Sequence, residues 1–287
     1  MKALSSCKQA LKDCIDHKYF AIAHLHKEEK VMKMHIHDCC EIYYAISGGK
    51  QFLIDNKFYT ISPGDLFVIN QYESHYLTQV DKEIHERIVI SIHPDYLKQI
   101  STSHTDLTYC FSHRPASFNH KLSLTKEQQQ RFLFLVNKIL SSNGYGADIL
   151  EKATSLELML LLNTIYFHND QKTTFTLPAP KYNAQVEPIL AYINANLHES
   201  MTIESLTQTF FLSESYICRI FKAATGMTIN KYITARRISI AKSLLAQGLS
   251  VNQVCEQCGY NDYSNFVKAF SKAVGISPKK YAQLSNS

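Results

Sequence analysis

Nowhere does this chain approach the ~20 consecutive apolar residues of a membrane span; its most apolar run, residues 156–166, stops well short. The first ten residues lack an apolar core of signal-peptide length, so export is not expected. The eight cysteines (7, 14, 39, 40, 110, 218, 255 and 258) follow no regular framework and read as reduced thiols of a cytoplasmic protein. Charge of neither sign dominates. The formal net charge is +5, and residues 184–287 carry ten Lys or Arg against six Asp or Glu. That surplus is too small to imply nucleic acid by itself. Histidine is nearly missing from the same segment: of thirteen, only His198 lies beyond residue 183, so an imidazole-based ligand site belongs to the N-terminal part. Disorder is excluded by the 45% hydrophobic content, and 287 residues suffice for two domains.

The most informative feature is a repeat near the C-terminus. Ile203 and Leu206, then Ser213 to Lys222, then Gly226, are echoed by Val251 and Val254, then Asp262 to Ser271, then Gly275. Each copy reads as a short helix, a tight turn and a second helix with an apolar face ending in Phe. Thr202, Ser213 and Asp262 are candidate N-caps, and Ser250 with Gln253 fits a capping box. A helix over 229–246 separates the copies; at 1.5 Å per residue it is roughly 27 Å long. Adjacent major-groove turns are about 34 Å apart, so two readers held on one face could enter both. A bland helical bundle needs such stripes and caps but not the repetition.

The N-terminal part alternates differently. Residues 41–47, 51–54, 58–61, 66–69 and 85–92 read as short strands divided by Gly48-Gly49, Asp55-Asn56-Lys57 and Ser62-Pro63-Gly64-Asp65, which favours a small barrel or sandwich over βαβ units. Thr125 and Gln128 fit a capping box opening a helix, and a second helix runs from about Ala147 to Phe167. Its broad apolar surface suits either packing on the strands or a subunit contact. Pro178 and Pro180 mark residues 169–183 as a linker.

Residues 186–284 resemble the DNA-binding domain of the AraC/XylS family of bacterial transcription regulators. The likeness rests on Tyr216 through Gly226, on Tyr232, Arg237, Ala241 and Leu244-Leu245, and on Val251 through Tyr260, Phe266, Phe270, Gly275, Ser277-Pro278 and Tyr281. The resemblance implies that side chains early in each recognition helix meet DNA: Glu214, Ser215, Cys218 and Arg219, then Tyr263, Ser264, Val267 and Lys268. Arg219 is the favoured base reader, with a phosphate clamp as alternative. Lys268 fits a phosphate contact, and Arg237 resembles a structural arginine in an internal ion pair. Ser271 stands where the family usually has Lys or Arg. Cys255-Glu-Gln-Cys258 reads as core packing rather than a metal or redox pair, since no second cysteine pair lies near.

At the other end, His35, His37, Glu41 and Gly48 follow the spacing His-x-His-x3-Glu-x6-Gly, with His75 beyond a later turn. His35, His37 and Glu41 are expected to share a strand face. This resembles a cupin barrel, although Asn70 and Tyr72 stand where the second cupin motif usually has Pro and Gly. The resemblance implies a pocket in which His35, His37, Glu41, Tyr43 and His75 bind a small polar effector such as a carbohydrate. A metal assisting sensing, its identity unassigned, and a barrel kept only for dimerisation are the alternatives. No cofactor is expected.

The expected fold is therefore α+β: an N-terminal cupin-like β-barrel (1–122), a helical connector (123–168), a linker (169–183) and an all-α double helix-turn-helix domain (184–287). The expected protein is not an enzyme but a homodimeric, effector-responsive activator that binds promoter DNA and meets RNA polymerase. A metal-dependent cupin enzyme is the competing reading.

Overall fold

The computed structural model describes residues 3–27, 35–79, 84–113, 115, 118–170 and 181–285. Helix α1 (Cys7–His17) leads into β1 (Phe20–Lys27), β2 (Cys40–Ser47), β3 (Gln51–Ile54), β4 (Lys57–Thr60), β5 (Leu66–Ile69), β6 (His75–Gln79) and β7 (His85–Ile92). Two short helices, α2 (Pro94–Ile100) and α3 (Tyr109–Ser112), precede β8 (Lys121–Leu122), α4 (Lys126–Ser141) and α5 (Ala147–Asp170). The expected linker lies largely outside the described residues, and α6 (Lys181–Ala195) begins within its last stretch.

The expected barrel does not form. The strands make two separate antiparallel sheets, one ordered β1-β7-β2-β5-β8 and the other β4-β3-β6, with no ladder joining them among the described residues. The N-terminal part is α+β, built as two stacked sheets. Alternation along each strand explains the stacking. In the larger sheet Phe20, Ile22, Ile42, Tyr44, Val68, Ile88 and Ile90 face one way and pack with Phe132, Leu135, Leu158 and Leu162 of α4 and α5. Ala21, Ala23, Tyr43, Ala45, Phe67, Ile69 and Val89 face the other way, against Phe52, Ile54 and Leu77 of the smaller sheet. Both faces of β2 are covered, which is why it reads as a nearly unbroken apolar run.

Local signals place the helices. Thr125 and Gln128 form the reciprocal capping box at the start of α4. On α5, Leu158, Met159, Leu162, Ile165 and Tyr166 are buried, whereas Leu156, Leu160 and Phe167 remain exposed. Asn163, on the same helix, is a buried polar clamp: its Oδ1 accepts from Cys110 N at 2.9 Å and its Nδ2 donates to Leu107 O at 3.0 Å. It ties α3 to α5.

The C-terminal region is all helical: α7 (Ile203–Phe210), α8 (Glu214–Thr225), α9 (Ile229–Ala246), α10 (Val251–Gln257), α11 (Tyr263–Val274) and α12 (Pro278–Ser285). Thr202 with Ser205 and Ser250 with Gln253 close capping boxes, and Asp262 accepts from Asn265 N at 2.6 Å. Ser213 occupies the N-cap of α8 but its side chain makes no capping bond. Gly226 and Gly275 end α8 and α11 in the left-handed conformation (φ 71° and 87°), which a side chain would resist. Each half has its own core, one around Ile217, Ile220 and Phe221, the other around Val254, Phe266 and Phe270. The first also contains Leu53 and Tyr76, the outward side chains of β3 and β6. The small sheet is thus a shared wall between the N-terminal interior and the C-terminal helices.

Candidate functional site

Two helix-turn-helix units are present, α7–α8 and α10–α11, joined by α9. Their second helices are strongly amphipathic for the reason visible in the sequence: Ile217, Ile220, Phe221 and Ala224 of α8, and Phe266 and Phe270 of α11, turn inward. Glu214, Ser215, Arg219 and Lys222 are exposed on α8; Tyr263, Ser264, Asn265 and Lys268 are exposed on α11. Cys218 and Val267 are half-buried at the edges of these faces. The Arg219 guanidinium lies over the Tyr216 ring at 5.1 Å, which holds the long side chain extended over its helix. Such a fork can address guanine or phosphate.

Among the described residues Arg237 is held by backbone carbonyls and not by the expected ion pair. Its Nε donates to Leu197 O at 3.0 Å and its Nη2 to Glu199 O at 2.6 Å, while the guanidinium stacks on Tyr260 at 5.4 Å. It is a carbonyl clamp between α9 and the chain leading to α7. Cys255 and Cys258 are buried in the second core, and burial pushes the Cys258 thiol up to about 12. These thiols are packed and protonated.

In the N-terminal part, His35, His37, Glu41 and His75 converge, with one ligand atom from each lying within 4.8 Å of the others. They do not share a strand as expected: β2 starts at Cys40, and only Glu41 belongs to it. His35 instead forms an isolated antiparallel bridge with His75, their backbones exchanging bonds of 3.3 and 3.2 Å. His37 Nδ1 donates to Cys39 O at 2.8 Å, and its Nε2 lies 3.0 Å from Glu41 Oε2. His75 Nδ1 donates to Glu73 O at 3.0 Å. A carbonyl can only accept, so both rings carry hydrogen on Nδ1 and turn Nε2 into the cluster. His75 is 1% exposed, and its Nε2 has no hydrogen-bond partner, lying 3.6 Å from Glu41 Oε1.

Burial opposes ionisation of Glu41, but the charge of His75 and the hydrogen bond from His37 outweigh it and hold the carboxyl at about 2. Burial, reinforced by the neighbouring His35, depresses His75 to about 3. The cluster therefore offers a carboxylate and a neutral imidazole at neutral pH, donors suited to a transition-metal ion or to hydroxyl groups.

Tyr43 lies on the same inner face of β2, one pleat beyond Glu41, and bonds His85 Nε2 at 2.6 Å rather than joining the four. Cys39, between this cluster and α1, sits 3.1 Å from Cys14, sulfur to sulfur. The contact with Cys14 and burial raise its pKa, which suits a core thiol.

Sequence reasoning missed the polar seam between the small sheet and α9. Asp55 Oδ1 accepts from Ser74 N at 2.9 Å and from Arg236 Nη1 at 2.5 Å. Tyr232 Oη donates to Asp55 O at 2.8 Å. Ser239 Oγ donates to Tyr72 O, and Lys242 pairs with Asp38 while lying over the rings of Tyr72 and Tyr281. No local signal marks these residues, because Arg236 and Asp55 are 181 positions apart.

Comparison with known proteins agrees with both halves. Residues 17–159 match the AraC-like ligand binding domain family, and residues 206–283 match a helix-turn-helix domain family. The HTH-type transcriptional activator RhaR of Salmonella dublin is 25% identical over 259 residues, 90% of this chain and 89% of that protein. RhaR of Salmonella schwarzengrund is 24% identical over the same length. Among solved structures, the C-terminal domain of AraT, a response regulator from Geobacillus stearothermophilus, is 27% identical over 37% of this chain and 88% of that one, with a TM-score of 0.35. The DNA-binding domain of AdpA in complex with a target DNA is 25% identical over 35% of this chain and 91% of that one (TM-score 0.34). Among the described residues no helix is long and apolar enough to cross a membrane. The chain is a sequence-specific DNA-binding transcription regulator of the AraC/XylS family.

Proposed function

We propose that the chain activates transcription from promoters it grips through the exposed early turns of α8 and α11, in response to a small polar effector bound in its N-terminal half. One observation carries the DNA assignment: two recognition helices, joined by a single helix, both leave their polar faces free, with Arg219 and Lys268 outward. Glu214, Ser215, Cys218, Tyr263, Ser264 and Val267 complete the two reading surfaces. Activation is supported by the relatives' description as activators. The units we assign are 1–122 for sensing, 123–168 for connection and dimerisation, 169–183 as linker and 184–287 for DNA.

The effector is proposed to meet His35, His37, Glu41, Tyr43 and His75, whose imidazole, carboxylate and phenol groups pair with hydroxyls; a sugar fits that chemistry. The protein is proposed to act in the cytoplasm as a homodimer that contacts RNA polymerase. Leu156, Leu160 and Phe167, exposed along one side of α5, supply the dimer face. The test is selection of duplex DNA from a random pool by the purified chain, followed by titration of a monosaccharide panel into the selected complex. A defined sequence whose affinity moves with one sugar supports the reading. Retention of the pool without enrichment contradicts it.

A further inference from the structure

The two reading helices differ in what lies beneath their outward basic side chains. Alignment of the repeat places Lys268 where α8 has Arg219, and Asn265 where α8 has Tyr216. A helical side chain leans back over the turn N-terminal to its own Cα, and residues three apart are neighbours. Arg219 therefore leans over Tyr216, towards the end of α8 that a groove would receive, and its guanidinium lies 5.1 Å from the ring centroid. Lys268 leans over Asn265, whose short exposed amide gives it no surface to rest on.

The ring beneath Arg219 is itself held. Tyr216 packs half-buried against the first core, and its Oη donates to Gln185 Oε1 at 3.1 Å. Gln185 sits on α6, which is anchored in the same core by buried Val186 and Ile189. Packing on one side and a hydrogen bond at the hydroxyl make the ring a platform. Among the described residues no carboxylate pairs with Arg219, so its N–H fork stays open. A guanidinium resting on a ring uses its flat face and leaves the N–H edge for guanine O6 and N7.

We propose that Tyr216 is a positioning residue that sets Arg219 for base reading, and that the lack of a counterpart in the second unit makes α8 the selective head and α11 the phosphate grip. The proposal rests on the assignment of α8 and α11 to DNA. A free arginine side chain samples many rotamers, and ordering it on binding opposes affinity. The ring restricts that sampling before the duplex arrives. An exposed contact of this kind corresponds to about a two- to fivefold change in affinity. It acts on a side chain that meets a base, so the change falls on sequence preference while the count of neutralised phosphates stays the same.

The test is fluorescence anisotropy of the selected duplex, and of its single-base-pair variants, titrated with the full chain and its folded variants. Tyr216→Leu keeps an apolar contact with the core but removes the ring; Tyr216→Met serves if it does not fold. Loss of the ring is expected to weaken the selected duplex about two- to fivefold, to flatten preference at the base pair that Arg219→Ala relaxes, and to leave the salt slope unchanged. Tyr216→Phe, which keeps the ring, is expected to stay within about twofold of the parent. In the Arg219→Ala background Tyr216→Leu is expected to add nothing. Lys268→Ala is expected to weaken every duplex by the same factor. Unchanged preference in Tyr216→Leu, an equal loss in Tyr216→Phe, or a loss that persists in the Arg219→Ala background overturns the positioning role. Selectivity lost in Lys268→Ala as much as in Arg219→Ala overturns the division between the helices. An Arg219→Ala chain that binds as the parent does removes α8 as a reader and this proposal with it, whereas a selective loss in Arg219→Ala with none in Tyr216→Leu leaves the DNA assignment standing and removes only the positioning.

Discussion

Removing the Arg236 side chain should undock the two halves without unfolding either. Arg236 and Asp55 are 12% and 22% exposed, and Asp55 is already pushed up by burial, with Arg236 as the cation opposing that shift. Breaking a fully buried pair costs about 3–5 kcal/mol because the remaining charge is stranded. Water reaches about a fifth of Asp55, so a discounted cost of about 2 kcal/mol is expected for Arg236→Gln. That corresponds to about a 30-fold weaker docking equilibrium. The chain has no tryptophan, so Phe58→Trp, beside the C-terminal core, provides a single emission reporter of docking. Urea titration of this reporter should show an early docking transition moved to lower denaturant, while the far-ultraviolet transition of the helices stays put. Asp55→Asn removes the charge but keeps an oxygen for Ser74. In the double variant the losses should fall short of their sum by about 1–2 kcal/mol. Strict additivity, or a reporter transition that does not move, would refute the seam as a stabilising contact.

Three further outcomes follow from named contacts. Asn163→Leu strands Cys110 N and Leu107 O in the α3–α5 contact and should cost about 2–4 kcal/mol in thermal unfolding; a loss below ~0.5 kcal/mol would contradict the clamp. Leu160→Glu, on the exposed side of α5, should convert a dimer to a monomer in sedimentation while leaving the melting temperature of the monomer unchanged, and a persistent dimer would place the contact elsewhere. Chelator-treated protein should lose stability as pH falls below 6.5. Unfolded His75 takes up a proton near 6.5 but folded His75 only at about 3, and Glu41 adds the same sign between 4.5 and about 2. His75→Asn should flatten the upper part of that slope, by up to about 1.4 kcal/mol per pH unit, and an unchanged slope would contradict the burial argument.

Much of the architecture is written in local patterns. Strand β7 coincides with the predicted 85–92, α9 with 229–246, and the Thr125–Gln128 and Ser250–Gln253 boxes form as read, because caps and periodicity depend only on neighbouring residues. Closure of the sheets was not legible. Alternation tells which side of a strand is covered but not what covers it, so a barrel and two stacked sheets look alike until pairing is seen. The histidine cluster was found through spacing, yet its geometry comes from a single bridge between His35 and His75. Arg237 and Arg236 show the remaining limit. One is satisfied by carbonyls, which leave no mark in sequence, and the other by a carboxylate 181 positions away.

The central claim is that α8 and α11 read DNA together, and binding titrations on the selected duplex test it most directly. Arg219→Ala should lose about 1–3 kcal/mol and relax preference at one base pair, whereas Lys268→Ala should weaken all sequences alike and reduce the salt slope by about one. If both folded variants bind with the parent's affinity, preference and salt dependence, those helices do not face the duplex.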